Sequence, residues 1–215
     1  MSISMKDEII LSSPLAPEAY PVIEGLIADY GARYNRSAED TRVELYRYPA
    51  EAFIPPLGAF LLLRREGQTI AGGAFMSHDD ETAELKRIWC NTDFRRQGLA
   101  RRIVAALEEK AVELGYTRLY LTTGFRQPEA VALYLSLGYR PLFDVNVDQR
   151  LYESLPFEKL VGTAKNQPST TPLRAPGTSP EDAHAIVKAI KKEQEKLIQK
   201  RLEQYQATFK QTIAS

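Results

Sequence analysis

The stretch "FRRQGLARR" at residues 94–102 constrains this chain more than any other. It follows a segment rich in strand formers, "TAELKRIWC" (82–90), and opens a long helical pattern, so a strand must end, turn and enter a helix around one glycine. Gly98 at such a turn lets successive backbone N–H groups converge on one point with no side chain in the way. The surrounding arginines add charge-assisted donors, and the helix dipole favours the same negative group. The turn reads as an anion site of phosphate or pyrophosphate type, and the alternative is an ordinary basic helix start on the surface. Neither G-x-x-x-x-G-K-S/T nor G-x-G-x-x-G occurs in the chain, which excludes the two commonest phosphate loops.

The apolar pattern around the turn alternates between two periods. After Ser12-Ser13, a helix-capping pair, "PEAYPVIEGLIADYGARYN" places Val22, Ile23, Leu26, Ile27 and Tyr30 at helical spacing. The following "RSAEDTRVELYRYPAEAFIPPLG" has no clear period and is expected to be loop with at most a short helix, lining a cleft. "AFLLLRR" (59–65) and "TIAGGAFMSH" (69–78) form a predicted hairpin, and "TAELKRIWC" a third strand whose two faces are not cleanly sorted. From Gly98 a stripe of Leu99, Ile103, Val104, Leu107, Ala111 and Leu114 predicts a helix stopped by Gly115. Then come a strand "TRLYLTTG", a helix "PEAVALYLSLG", a strand "YRPLFDV" and a last strand within "YESLPFEKLV". The fold class is α/β (α+β), a mixed sheet with helices on its faces.

Twenty-eight basic residues balance 28 acidic ones, so nothing in the overall charge points to nucleic acid or a membrane surface. One cysteine, Cys90, excludes an internal disulfide, and with two histidines leaves almost nothing for a metal site. There is no signal-peptide layout at the start and no apolar run near the roughly 18 residues of a membrane helix; the expected location is cytoplasmic. The boundaries read as a domain over 1–161, a proline-rich linker over 162–180 and an amphipathic helix over 181–215. The stripe Ile186, Ile190, Leu197, Leu202, Tyr205 and Phe209 of that helix cannot bury itself, so it is expected to dock on its own domain or on a second copy in a homodimer.

Arg95-Arg96-Gln97-Gly98-Leu99-Ala100 resembles the pyrophosphate turn of the GNAT superfamily of N-acetyltransferases, written Arg/Gln-x-x-Gly-x-Gly/Ala. The later "ALYLSLGYRP" is similar to that superfamily's A-x-x-L-Y-x-x-x-G-F/Y signature, and the resemblance covers roughly residues 9–160. It implies an acetyl-coenzyme A site in a V-shaped opening between two central strands. The amides of Arg96 through Arg101, with Arg95, would hold the pyrophosphate, the backbone of Ile88 and Cys90 would orient the thioester, and Gln127 stands where many relatives have asparagine. A primary amine would attack directly through a tetrahedral intermediate, whose oxyanion an amide hydrogen bond stabilises by about 3 kcal/mol.

On the same resemblance Glu84, eleven residues before Arg95, is the candidate base, and Tyr134 the candidate acid for the leaving thiolate. Cys90 has no histidine near it in sequence, and direct transfer needs no acyl-enzyme. His78 and Trp89 are expected to be a solvated loop residue and a packing residue. The acids Glu39, Asp40, Glu44 and Glu51 of the early loop would attract a cationic amine, and the expected acceptor is a small molecule. The rival reading is a non-catalytic coenzyme A sensor or scaffold that binds partners through its last helix.

Overall fold

The computed structural model describes residues 6–214, with side chains as far as residue 207. Seven strands make one sheet: β1 (Asp7–Ser12), β2 (Ala59–Arg65), β3 (Gln68–Ser77), β4 (Thr82–Cys90), β5 (Arg118–Gly124), β6 (Arg140–Pro141) and β7 (Ser154–Leu160). Their order is β1-β2-β3-β4-β5-β7-β6, antiparallel throughout except where β4 runs parallel to β5. Five helices cover it: α1 (Tyr20–Tyr34), α2 (Ala38–Leu45), α3 (Leu99–Glu113), α4 (Pro128–Ser136) and α5 (Pro180–Ala214).

The two faces of the sheet bury separate cores. On one, Leu99, Ile103, Val104 and Leu107 of α3 pack on Leu61, Phe75 and Leu85, and the core continues through Tyr134, Tyr139 and Phe157. On the other, Val22, Ile23, Leu26 and Ile27 of α1 pack on Leu62, Ala74 and Met76. These are the stripes that the helical periods predict, and each side chain removed from water contributes roughly 1.5–3 kcal/mol.

The unsorted faces of β4 have a physical cause. Gly72 pairs with Trp89 but Ala74 with Lys86, so Gly73 alone stands opposite Arg87 and Ile88. This is a β-bulge, with Arg87 at φ 61°, and it inverts the alternation of the strand. Before it, Ala83 and Leu85 face the α3 core; after it, Ile88 and Cys90 do, while Trp89 turns to the α1 side. Gly25 of α1 lies where the Trp89 indole crosses, and a methyl group there would run into the ring.

Several sequence expectations are corrected. Ser12 of the expected capping pair is instead the last residue of an edge strand, β1, paired along its length with β2. The loop after α1 does hold the short helix expected there, α2, capped by the Ser37 hydroxyl on the Asp40 amide. "YRPLFDV" pairs only through Arg140 and Pro141, and Leu142 and Phe143 are buried from a loop instead. The predicted linker lies along β7: Ser169 and Thr171 bond Glu158, and the Gly177 amide donates to the Leu151 carbonyl at 2.7 Å.

The last helix docks on its own chain, but of the predicted stripe only Leu202 is buried among the residues whose side chains are described. Ala183, Val187, Gln194, Ile198 and Leu202 are buried, whereas Ile186, Ile190 and Leu197 are 36–45% exposed. Phe209 lies outside the residues whose side chains are described. The docked face carries polar anchors: Tyr48 donates to Gln194 at 2.8 Å, Lys191 reaches Glu44 at 2.6 Å, and Arg201 reaches Asp80 at 2.7 Å.

Candidate active site

The pairing of β4 with β5 stops at Leu85 and Leu121. Beyond that point β4 runs on through its bulge to Cys90 and β5 to Gly124, and the two strands no longer hydrogen-bond each other. Two clefts open at this splay. One, of about 680 Å³, is lined by Ile88, Trp89, Cys90, Arg95, Arg96, Gly98 to Arg101, Gln127, Leu133 and Tyr134. The other, of about 210 Å³, lies between β4, β5, α2 and α5 and includes Tyr34, Glu44, Tyr48, Lys86, Arg87, Glu153 and Lys191. Tyr30 and Gln127 line both and form the seam between them.

At the mouth of the larger cleft the turn has the geometry of an anion site. Arg96 and Gly98 adopt left-handed conformations, φ 62° and 74°, and the first helical bond of α3 runs from the Arg102 amide to the Gly98 carbonyl. The amides of Leu99, Ala100 and Arg101 therefore have no partner within the helix. Nothing lies within 4 Å of where a Gly98 Cβ would stand, so the approach is open. Arg95 and Arg96 are exposed beside it. Gln97 points away and accepts from Arg65 at 2.9 Å, while Arg101 bonds Ser136.

Of the remaining expected site residues, Ile88, Cys90, Gln127 and Tyr134 come together in this cleft and Glu84 does not. Burial pushes the Cys90 thiol up, keeping it protonated and unreactive. The Gln127 carbonyl oxygen accepts from Thr123 Oγ1 at 3.0 Å and the Gly124 amide at 3.1 Å, which fixes the side chain at the end of β5. Tyr134 is packed against Tyr139 and Phe157, and burial raises its phenol well above the ordinary value. Tyr30, which its helical spacing marked only as a packing residue, faces Gln127 and is pushed up to about 12, chiefly by burial. Both phenols are neutral donors at physiological pH.

Glu84 is 2% exposed and lines neither cleft. Burial raises its pKa, but Lys86 at 2.7 Å and His78 at 3.5 Å outweigh that and hold it below the usual carboxylate value. His78 is thus a buried-edge partner rather than a solvated loop residue; it also stacks on Tyr120 at 5.0 Å and meets Gln194 of α5. The early acids do not form an attracting patch. Glu39 and Asp40 sit in the first turn of α2, where they favour the helix dipole, Glu51 is exposed, and Glu44 alone reaches the cleft, neutralised by Lys191 and Arg47.

A sheet splayed between parallel neighbours above a glycine turn with free amides defines a class of protein that binds a phosphate-bearing ligand at the splay. Residues 21–139 match the Acetyltransferase (GNAT) family model, and the chain belongs to that family and is an acyltransferase. It is 29% identical over 129 residues to the N-acetyltransferase YjgM of Escherichia coli (strain K12), covering 57% of this chain and 75% of that one. An acyl-CoA N-acyltransferase structure from Klebsiella pneumoniae superimposes with a TM-score of 0.56 at 25% identity, over 73% of this chain and 98% of its own. The PaiA N-acetyltransferase of Thermoplasma acidophilum in complex with coenzyme A gives 0.57 at 16% identity, over 73% and 100%. Among the described residues no helix is long and apolar enough to cross a membrane.

Proposed function

We propose that this chain moves the acetyl group of acetyl-coenzyme A to the primary amine of a small molecule, with the co-substrate in the larger cleft and the acceptor in the smaller. The observation that carries this is the seam: two clefts of different character meet only at Tyr30 and Gln127, beside the open edge of β4. The open Gly98 turn fits a diphosphate, and the splayed β4 backbone at Ile88 and Cys90 fits a thioester arm. The smaller cleft falls below the roughly 300–1,000 Å³ of drug-sized sites, which favours a small acceptor.

Bound acetyl-coenzyme A supplies a thioester whose C–S bond breaks, the pair leaving on sulfur, as the acceptor nitrogen forms the new C–N bond. The ammonium must first lose a proton. Of the two carboxylates lining the acceptor cleft, Glu44 is held between Lys191 and Arg47, whereas Glu153 bonds only the exposed His184, so Glu153 is the better placed base, acting through water. Tyr134 remains the proposed donor to the departing sulfur, because it lines the co-substrate cleft and stays protonated. Glu84 works at one remove: by holding Lys86 it sets a cation in the cleft wall. Residues 1–161 are proposed as the catalytic domain, to which α5 adds Val187 and Lys191 as part of the acceptor wall.

The test is calorimetry with acetyl-coenzyme A followed by a free-thiol assay over a panel of amines. Tight binding with turnover on one class of amine is expected. Binding without turnover on any of them would favour the sensor reading.

A further inference from the structure

The acceptor cleft contains a positive charge that the protein does not neutralise. Arg87, at the bulge of β4, is 7% exposed. Its Nη2 donates to the Leu45 carbonyl, and its Cζ lies over the Phe53 ring, 4.0 Å from the centroid. Nη1 has no hydrogen-bond partner, although it is buried. The titratable groups acting on this guanidinium are the phenols of Tyr46, Tyr30 and Tyr48, with no carboxylate among them. Burial lowers its pKa to about 10, which still leaves it charged at neutral pH.

The two lysines of the cleft are already held by carboxylates, Lys86 by Glu84 and Lys191 by Glu44, while Glu153 bonds the His184 imidazole. Arg36 adds a further cation at the rim. A buried guanidinium with an unused donor is strongly unfavourable unless a ligand supplies the acceptor. The bulge is what brings it there, since an unbroken β4 alternation would turn residue 87 to the α3 side with Leu85.

We propose that Arg87 is a carboxylate-recognition site, and that the acceptor is a small amine that also carries a carboxylate, as in an amino acid. This rests on the acetyltransferase reading above and narrows its substrate class. A carboxylate suits the position because one edge of a planar fork is free while the other is committed to Leu45. Volume bounds the acceptor: a cleft of about 210 Å³ takes only a small molecule, so amine and carboxylate belong to one short molecule. A long polyamine, with several cations and no anion, is repelled by the same wall.

The experiment measures kcat/KM at saturating acetyl-coenzyme A for glycine, alanine, phenylalanine, glutamate and β-alanine, against their primary amides and spermidine. The best acid is expected to exceed its amide by about 10- to 100-fold, the factor for one hydrogen bond to a charged group. Arg87→Met should bring that acid down to its amide while leaving the affinity for acetyl-coenzyme A within about twofold by calorimetry. Amides or spermidine used as well as the acids by the wild-type protein would overturn the proposal without any variant. A second readout needs no turnover: in the presence of coenzyme A, the N-acetyl derivatives of the same acids should raise the melting temperature of the wild type, and their N-acetyl amides should not. If no amine is acetylated but this difference holds, the carboxylate site stands and the acetyltransferase reading falls. Equal shifts from acids and amides sink the site itself.

Discussion

At the scale of single residues, the roles of Glu84, Glu153 and Tyr134 separate by kinetics. If Glu84 acts through Lys86, Glu84→Gln should raise the acceptor KM several-fold and lower kcat less, whereas Glu153→Gln should lower kcat by about 100-fold at neutral pH, the usual factor for a lost base. A kcat loss of that size in Glu84→Gln, with KM unchanged, would make Glu84 the base after all. Tyr134→Phe should lower kcat with little effect on binding, because a donor to departing sulfur acts only in the transition state. An equal loss in Tyr30→Phe but none in Tyr134→Phe would transfer that role across the seam. The turn was legible in the sequence because Gly98 and its arginines act through backbone geometry that local residues determine. Arg87 was not, since its neighbours Leu45 and Phe53 are distant in the chain, and the unsorted faces of β4 hint at an irregularity without locating it at residue 87.

At the scale of elements, the long helices and β2, β3 and β4 were readable because burial imposes their periods along the whole segment. The exceptions share a cause: contacts from elsewhere override the local pattern. Leu142 and Phe143 look like strand residues but fill the aromatic cluster with Tyr152 and Phe157 from a loop. In α5 the predicted stripe, Leu202 excepted, lost to a face whose Gln194, Lys191 and Arg201 match partners on the domain. That docking has a measurable consequence. Ile198 is 1% exposed and Leu202 nearly as buried, both within the α1-side core, so Ile198→Ala with Leu202→Ala should lower stability by roughly 4 kcal/mol or more. Because Val187 and Lys191 line the acceptor cleft, the same variant should raise the acceptor KM more than that for acetyl-coenzyme A. Denaturant titration and paired kinetics check both, and a stability loss with unchanged acceptor kinetics would show the helix to be packing alone.

At the scale of the whole molecule, the parts are fastened together by carboxylates that need their charge. Asp7 joins β1 to β2 and α3 through Arg65 and Arg102, and hydrogen bonds from these two hold its pKa at about 2. Glu158 is buried on β7; desolvation raises its pKa, but Ser169, Thr171, Arg140 and Arg118 together lower it below the ordinary value, tying the segment before α5 to the sheet. Glu44 likewise ends up lowered, against its own desolvation, by Lys191 of α5 and by Arg47. Each folded pKa is depressed, so the unfolded chain binds protons more readily and the stabilisation is complete only above the unfolded carboxylate range near 4–4.5. It is lost as pH falls through that range toward 2. The melting temperature should therefore be nearly flat from pH 8 to about 5.5 and fall steeply below about 4.5, and Glu158→Gln should flatten part of that fall. Since Glu44 and Glu158 clamp α5 and the segment leading to it, a fluorophore on the exposed face at residue 197 should report helix release at a higher pH than loss of the sheet signal by circular dichroism. Coincident transitions would mean that sheet and tail form one cooperative unit, in which the acceptor wall cannot open without unfolding the domain.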